Sequence, residues 1–217
     1  MHGCGAVVSP ARLLDDDPAF DERLPIRLQI QAATHFTPIE VAHYAARLLA
    51  PAPGMSVLDV GSGAGKFCLA AALAVPECEF VGIELRPHLV ELANTLAREL
   101  GVGNARFLHG DALDYDWSAF DAFYFFNPFA EQLYDDFVLD HSIEFDPATF
   151  IACVSGVGRK LADARVGTRV VTYHGYGGPP PRGYELSRED PIGSERLQLW
   201  VKTRTVTREI DVQEDAE

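Results

Sequence analysis

Lysine is scarce in this 217-residue chain: only Lys66, Lys160 and Lys202 occur, and the formal net charge is −14. No basic stripe of the kind that tracks a phosphate backbone is visible, so nucleic acid is read as an unlikely partner. The acidic balance suits solubility, and it would also suit a cationic substrate. Cysteine is sparse too. Cys4, Cys68, Cys78 and Cys153 share no metal-ligand spacing, so no metal site is expected, and the chain reads as a reduced, cytoplasmic protein. No apolar run approaches the roughly 20 residues of a membrane span. The N-terminus lacks the basic segment of a secretory signal, and no membrane role is expected. There is no internal repeat.

What is present is ordinary for a soluble globule. Apolar residues make up 47% of the chain, and the length suits one α/β domain with a substantial core. Residues 1–36 read as a mixed, loosely ordered lead-in, 37–205 as the domain and 206–217 as an acidic tail. A helix is expected over 38–50, with Thr37 as N-cap and Pro38 at its first position. Further helices are expected over 67–74, from Pro87 to a cap at Gly101, and from Asp146-Pro147 onward. In the last of these, Phe150, Ile151, Val154, Val157 and Leu161 would share one face. Short apolar runs at 57–60, 80–83, 106–109, 122–126 and 169–173 read as strands, with a late strand at 197–201. Residues 175–183 hold three consecutive prolines among glycines and read as a loop. Alternating strands and helices predict an α/β, Rossmann-like, mostly parallel seven-stranded sheet flanked by helices. Too few residues remain after 183 for a crossover helix, so an antiparallel C-terminal edge strand is expected.

The most telling stretch is Asp59-Val60-Gly61-Ser62-Gly63-Ala64-Gly65. An apolar strand ends in an acid, and three alternate glycines then let the backbone turn tightly and approach a ligand. The spacing is Gly-x-Gly-x-Gly, not the Gly-x-Gly-x-x-Gly of dinucleotide folds. A carboxylate at 59 would oppose a pyrophosphate and suit a cation or a pair of hydroxyls. Glu84, Asp111 and Asn127 punctuate the ends of the next three strands. In open α/β sheets that edge is where ligands bind.

Those residues resemble the class I S-adenosylmethionine-dependent methyltransferases, over roughly residues 37–202. The glycine stretch is similar to the family's first motif. Glu84 resembles the acid that takes both ribose hydroxyls, and Asp111 with Ala112 the adenine contact. The resemblance implies S-adenosyl-L-methionine as cofactor, held by Thr37, Asp59, Gly61, Ser62, Gly63, Gly65, Glu84, Leu85, Asp111, Ala112 and Asn127. Asn127-Pro128-Phe129 resembles the Asn/Asp-Pro-Pro-aromatic motif of amino-directed members but lacks one proline. It implies a nitrogen acceptor, with Asn127 and Phe129 nearest the transferred methyl. A weaker resemblance, to non-SET seven-strand protein-lysine methyltransferases, ranks a protein lysine first among acceptors, with a small metabolite close behind.

Other residues keep two readings. His174 closes the fifth strand as a base or pocket wall, or as a strand-end histidine bonded to its surroundings. Phe36 and Thr37 touch the cofactor or only begin a helix. Glu131, Asp135, Asp136, Asp140 and Glu144 receive a basic substrate or form a solvated face. Two other functions fit the same fold: a nicotinamide-dependent oxidoreductase and a catalytically silent partner subunit. Neither the acceptor's identity nor the oligomeric state follows from the residues.

Overall fold

The computed structural model describes residues 14, 16–133, 138–144, 146–193 and 195–206. Cys4, Asp135, Asp136 and the tail beyond 206 lie outside them. The strands are β1 Ser56–Val60, β2 Glu79–Glu84, β3 Ala105–His109, β4 Ala122–Phe126, β5 Arg169–Tyr173, β6 Tyr184–Ile192 and β7 Glu195–Lys202. They form one sheet in the order β3-β2-β1-β4-β5-β7-β6. The first five run parallel. β7 pairs antiparallel with β5 and β6, so the expected antiparallel edge is a hairpin with β6 outermost. The chain moves outward from β1 through β2 to β3, then returns to β4 on β1's other side. That reversal opens a crevice at the strand C-termini, the ligand-binding position of doubly wound sheets.

The helices are α1 Asp17–Asp21, α2 Ile26–His35, α3 Ile39–Leu49, α4 Lys66–Ala74, α5 Pro87–Glu99 and α6 Pro147–Asp163. Side chains alternate across a strand. Val57 therefore packs with α3, α4 and α5, while Leu58 and Val60 join a second cluster with Trp117, Phe123, Val157 and Leu161. In α4, every residue from Lys66 to Ala72 is buried. Its small alanines let it lie close to both α3 and the sheet.

The N-terminal segment departs from the expected loose lead-in. Residues 17–35 form two helices, and Leu14, Phe20, Leu24, Leu28, Ala32 and Phe36 belong to the main core. The amphipathic signal of α2 is weak because Ile26 and Ile30 face outward. The α3 start also differs. Thr37 does not cap it: its Oγ1 sits 3.0 Å from the Tyr124 hydroxyl. Asp17 Oδ1 accepts from the Ile39 N–H instead, at 2.9 Å. In α6, Val157 and Leu161 are buried, but Ile151 is exposed rather than on the packed face.

One cation fastens this segment to the sheet. Lys66 opens α4, where the helix dipole disfavours positive charge. Its Nζ reaches Asp17 at 2.8 Å and Asp21 at 2.7 Å, and lies 5.4 Å from the Phe20 ring centre. The ammonium is buried, whereas both acids keep partial contact with water. Lys66→Ala removes two charge-assisted contacts, and we predict a loss of about 2 kcal/mol of unfolding free energy in urea titration. A loss under about 0.5 kcal/mol, the scale of an exposed pair, would contradict this role.

Candidate active site

A cavity of about 420 Å³ opens at the crevice between β1 and β4. Its size falls within the range of small-molecule sites, roughly 300–1,000 Å³. Gly61 and Gly63 of the turn after β1 line it. The Gly61 and Ser62 N–H groups both donate to the Ile83 carbonyl at 3.0 Å, which holds the turn against β2. Gly61 has φ +79°, and a Cβ there would sit 3.0 Å from Pro128 Cβ. Gly63 has φ +54°, and a Cβ there would meet Phe36 at 2.9 Å. The turn is thus wedged between the end of β4 and the end of α2, and both contacts require the missing side chain.

Two other residues of the turn serve the core. Gly65 caps α4 with φ +83° beside Phe107 and Ala93. Ser62 points at Gly82, whose Cβ would lie 2.5 Å from its own, and its buried Oγ has no partner. Neither lines the cavity, and neither does Thr37.

Glu84 ends β2 as a buried cavity residue. Its Oε2 accepts from the Gly63 N–H and its Oε1 from the Arg86 N–H, each at 3.0 Å. The Arg86 Nη1 also stands 3.5 Å from Oε1, so of a carboxylate's roughly four acceptor directions one is open and a second is held only by that long contact. Leu85, Gly110, Asp111 and Ala112 continue the same wall. Asp111 Oδ1 accepts from the Leu113 N–H at 2.8 Å, capping a 3-10 turn at Ala112–Asp114.

Asp59 is the main correction to the expected ligand set. It is buried on the α4 side of β1 and absent from the cavity wall. The Cys68 thiol donates to its Oδ2 at 3.6 Å. Burial pushes its carboxyl up to about 8, with the nearby Glu84 charge adding to the rise and the thiol opposing it. Burial thus favours the protonated form of Asp59, whose side chain faces the core rather than the cavity. Burial, then the Asp59 charge, also drives the Cys68 thiol well up.

The opposite wall comes from the ends of β4 and β5. Asn127, Pro128, Phe129 and His174 all line the cavity. Asn127 (φ 41°) and His174 (φ 62°) are the non-glycine residues with positive φ among those described. They sit at adjacent strand ends, joined by the Asn127 N–H donating to the Gly175 carbonyl at 2.9 Å. Two such conformations side by side persist only where the surroundings impose them, and they cluster at functional sites. His174 Nδ1 lies 3.9 Å from Glu195, and its ring meets Phe126 edge-on at 5.2 Å between centres.

Several wall residues were not foreseen. Ala33, Thr34 and His35 come from α2, and Thr149 and Cys153 from α6. Arg86 is buried and pairs with Glu84, Glu131 and Asp140. The last two are therefore partners of an internal cation rather than a free acidic face. The hint lay in Glu84-Leu85-Arg86, where opposite charges sit two apart at a strand end. Burial, then the Arg86 charge, lowers the His35 imidazole, while burial raises Glu131 against the pull of Arg86.

The sheet order and the glycine turn are those of the Rossmann-like methyltransferase fold. A family model described as a methyltransferase domain matches residues 51–149. The tRNA (guanine-N(7)-)-methyltransferase of Synechococcus sp. (strain JA-3-3Ab) is 49% identical over 51 residues, 24% of this chain and 22% of that protein. The chain thus spans about a fifth of that relative's length. An RNA methyltransferase from Salinibacter ruber, solved with S-adenosyl-L-homocysteine, superposes with TM-score 0.54 at 20% identity, covering 80% of this chain and 95% of that one. TrmN from Thermus thermophilus gives TM-score 0.56 at 25% identity, covering 76% and 49%.

S-adenosylmethionine fits the donor set: a spare-capacity carboxylate at Glu84, glycine backbone at 61 and 63, and Asp111-Ala112 beside Leu85. The shifted Asp59 also makes a stability prediction. Between about pH 4 and 8 the folded protein keeps a proton that the unfolded chain has released. The resulting stability is complete below the unfolded carboxyl value and is lost as pH rises through about 8. Asp59→Asn should remove that slope, which is at most ~1.4 kcal/mol per pH unit. Urea unfolding at pH 5, 6.5 and 8 should show the wild type losing ground steadily to the variant. A constant difference across that range would contradict a neutral Asp59.

Proposed function

We propose that the protein transfers the methyl group of S-adenosylmethionine to a nitrogen acceptor presented at Asn127, Pro128 and Phe129. The observation that carries this is the left-handed Asn127 at the cavity wall, followed by Pro128 packed against Gly61. The acceptor edge is thereby built directly onto the turn that would hold the methionine portion. When bound, the cofactor supplies an electrophilic methyl on a sulfonium. The chain's own residues then have to position a neutral nitrogen in line with it. Carbonyl acceptors at Asn127 suit the hydrogens of such a nitrogen, and Phe126 and Phe129 exclude water around it. Positioning alone accounts for much of the rate in a displacement of this kind. His174 stands on the same wall and is the group suited to take the acceptor's proton.

A protein lysine or a small amine is the acceptor we favour. All three lysines are occupied within the fold. Lys66 pairs with Asp17 and Asp21, Lys160 Nζ donates to the Tyr115 carbonyl at 2.6 Å, and Lys202 Nζ donates to the Leu161 and Ala162 carbonyls at 3.0 and 2.6 Å. That leaves arginines as the permanently charged side chains for phosphate contacts. RNA is the second reading, favoured by the relatives whose names specify tRNA or RNA. Buried free thiols at Cys68 and Cys78 accord with the reducing cytoplasm we infer as its location.

The test is incubation of cell extract with methyl-labelled cofactor, followed by separation of protein, RNA and metabolites. Label on nitrogen in protein or metabolites supports the favoured reading, and label in RNA supports the second. Label on oxygen or carbon would overturn the nitrogen assignment. Asn127→Ala should cut turnover by about 100-fold through misplaced acceptor geometry, with a smaller loss of S-adenosylhomocysteine affinity.

A further inference from the structure

Arg86 joins the two halves of the cavity. Its side chain is 6% exposed and faces three carboxylates. Nη1 lies 3.5 Å from Glu84 Oε1, Nη2 bonds Glu131, and Nε donates to Asp140 Oδ1 at 3.1 Å. Glu84 belongs to the cofactor wall. Glu131 and Asp140 belong to the segment after β4 that carries Phe129, Gln132 and Leu139 of the opposite wall. Two histidines flank the cluster: His35 Nδ1 is 3.8 Å from Glu131, and His88 Nε2 is 3.0 Å from Asp140. One guanidinium thus serves three acids, with the Gly63 N–H on Glu84 and the Ser142 N–H and hydroxyl on Asp140 as further donors. A cluster in which one cation is shared by three acids is sensitive to any donor that takes over part of one carboxylate.

We propose that Arg86 is a positioning residue that couples nucleoside binding at Glu84 to the ordering of the acceptor wall at 129–133 and 138–143. This rests on the methyltransferase reading above. Ribose hydroxyls donating to Glu84 would satisfy part of its charge. The Arg86 guanidinium is then drawn more fully to Glu131 and Asp140, which tightens the acceptor wall. The consequence is an order of binding: the cofactor first, the acceptor second. Arginine suits this task because its rigid fork presents several donors at once, which lysine's single ammonium does not.

The probe is S-adenosylhomocysteine, followed by calorimetry and by hydrogen exchange of the backbone at 129–133 and 138–143. In the wild type, binding should slow exchange there by about tenfold, within the usual range of site-to-site coupling. Arg86→Met should bind about tenfold more weakly and, at saturation, show none of that slowing. Glu131→Gln leaves Glu84 and its partners in place and serves if Arg86→Met does not fold. It should keep affinity within about threefold yet lose the slowing at 129–133. Wild-type slowing that persists in a saturated variant would overturn the coupling, as would wild-type binding without any slowing. Failure of the wild type to bind S-adenosylhomocysteine would instead overturn the methyltransferase reading itself.

Discussion

Glu84 is the carboxylate on which the rest of the site is hung. Its Oε2 fixes the Gly63 N–H, and hence the path of the glycine turn. Its Oε1 fixes the Arg86 backbone and lies near the Arg86 side chain. Through Arg86 it reaches Glu131 and Asp140 beyond β4. A buried anion is costly unless donors surround it, and here those donors are the glycine turn and Arg86, which also line or brace the cavity. Satisfying the charge and shaping the cavity are therefore the same event.

The glycine turn adds a steric constraint from the other direction. Pro128 and Phe36 lie far apart along the chain, yet both press on it where a Cβ would sit. Acceptor edge, cofactor turn and N-terminal helices are thus registered against one another by contact. Lys66 completes this by holding α1 to the first turn of α4. The helices before residue 36 are consequently part of the cavity's structure, not an appendage to it.

The sheet was legible because its strands are short, apolar and bounded by glycine, proline or acid. The strand-end acids gave the edge at which the cavity opens. Periodicity failed where tertiary contacts decide the outcome. α2 exposes Ile26 and Ile30 and buries only Leu28 and Ala32, so its pattern carries little amphipathic signal. Asp59 shows the limit of motif reading: alternation along β1 sends its side chain to the α4 face, toward Cys68 and away from the cavity. Ser62, Gly65 and Thr37 likewise hold the frame that Gly61, Gly63 and Glu84 use. The Arg86 cluster was out of reach because its partners are 45 and 54 residues away along the chain.

The central claim is that this edge receives the nucleoside of S-adenosylmethionine through Glu84. A crystal structure of the protein with S-adenosylhomocysteine tests it most directly. The account predicts both ribose hydroxyls on the Glu84 carboxylate, the adenine between Leu85 and Ala112, and Asp59 without contact to the ligand. A nucleoside seated elsewhere, or a ribose that leaves Glu84 to its protein partners alone, would contradict it.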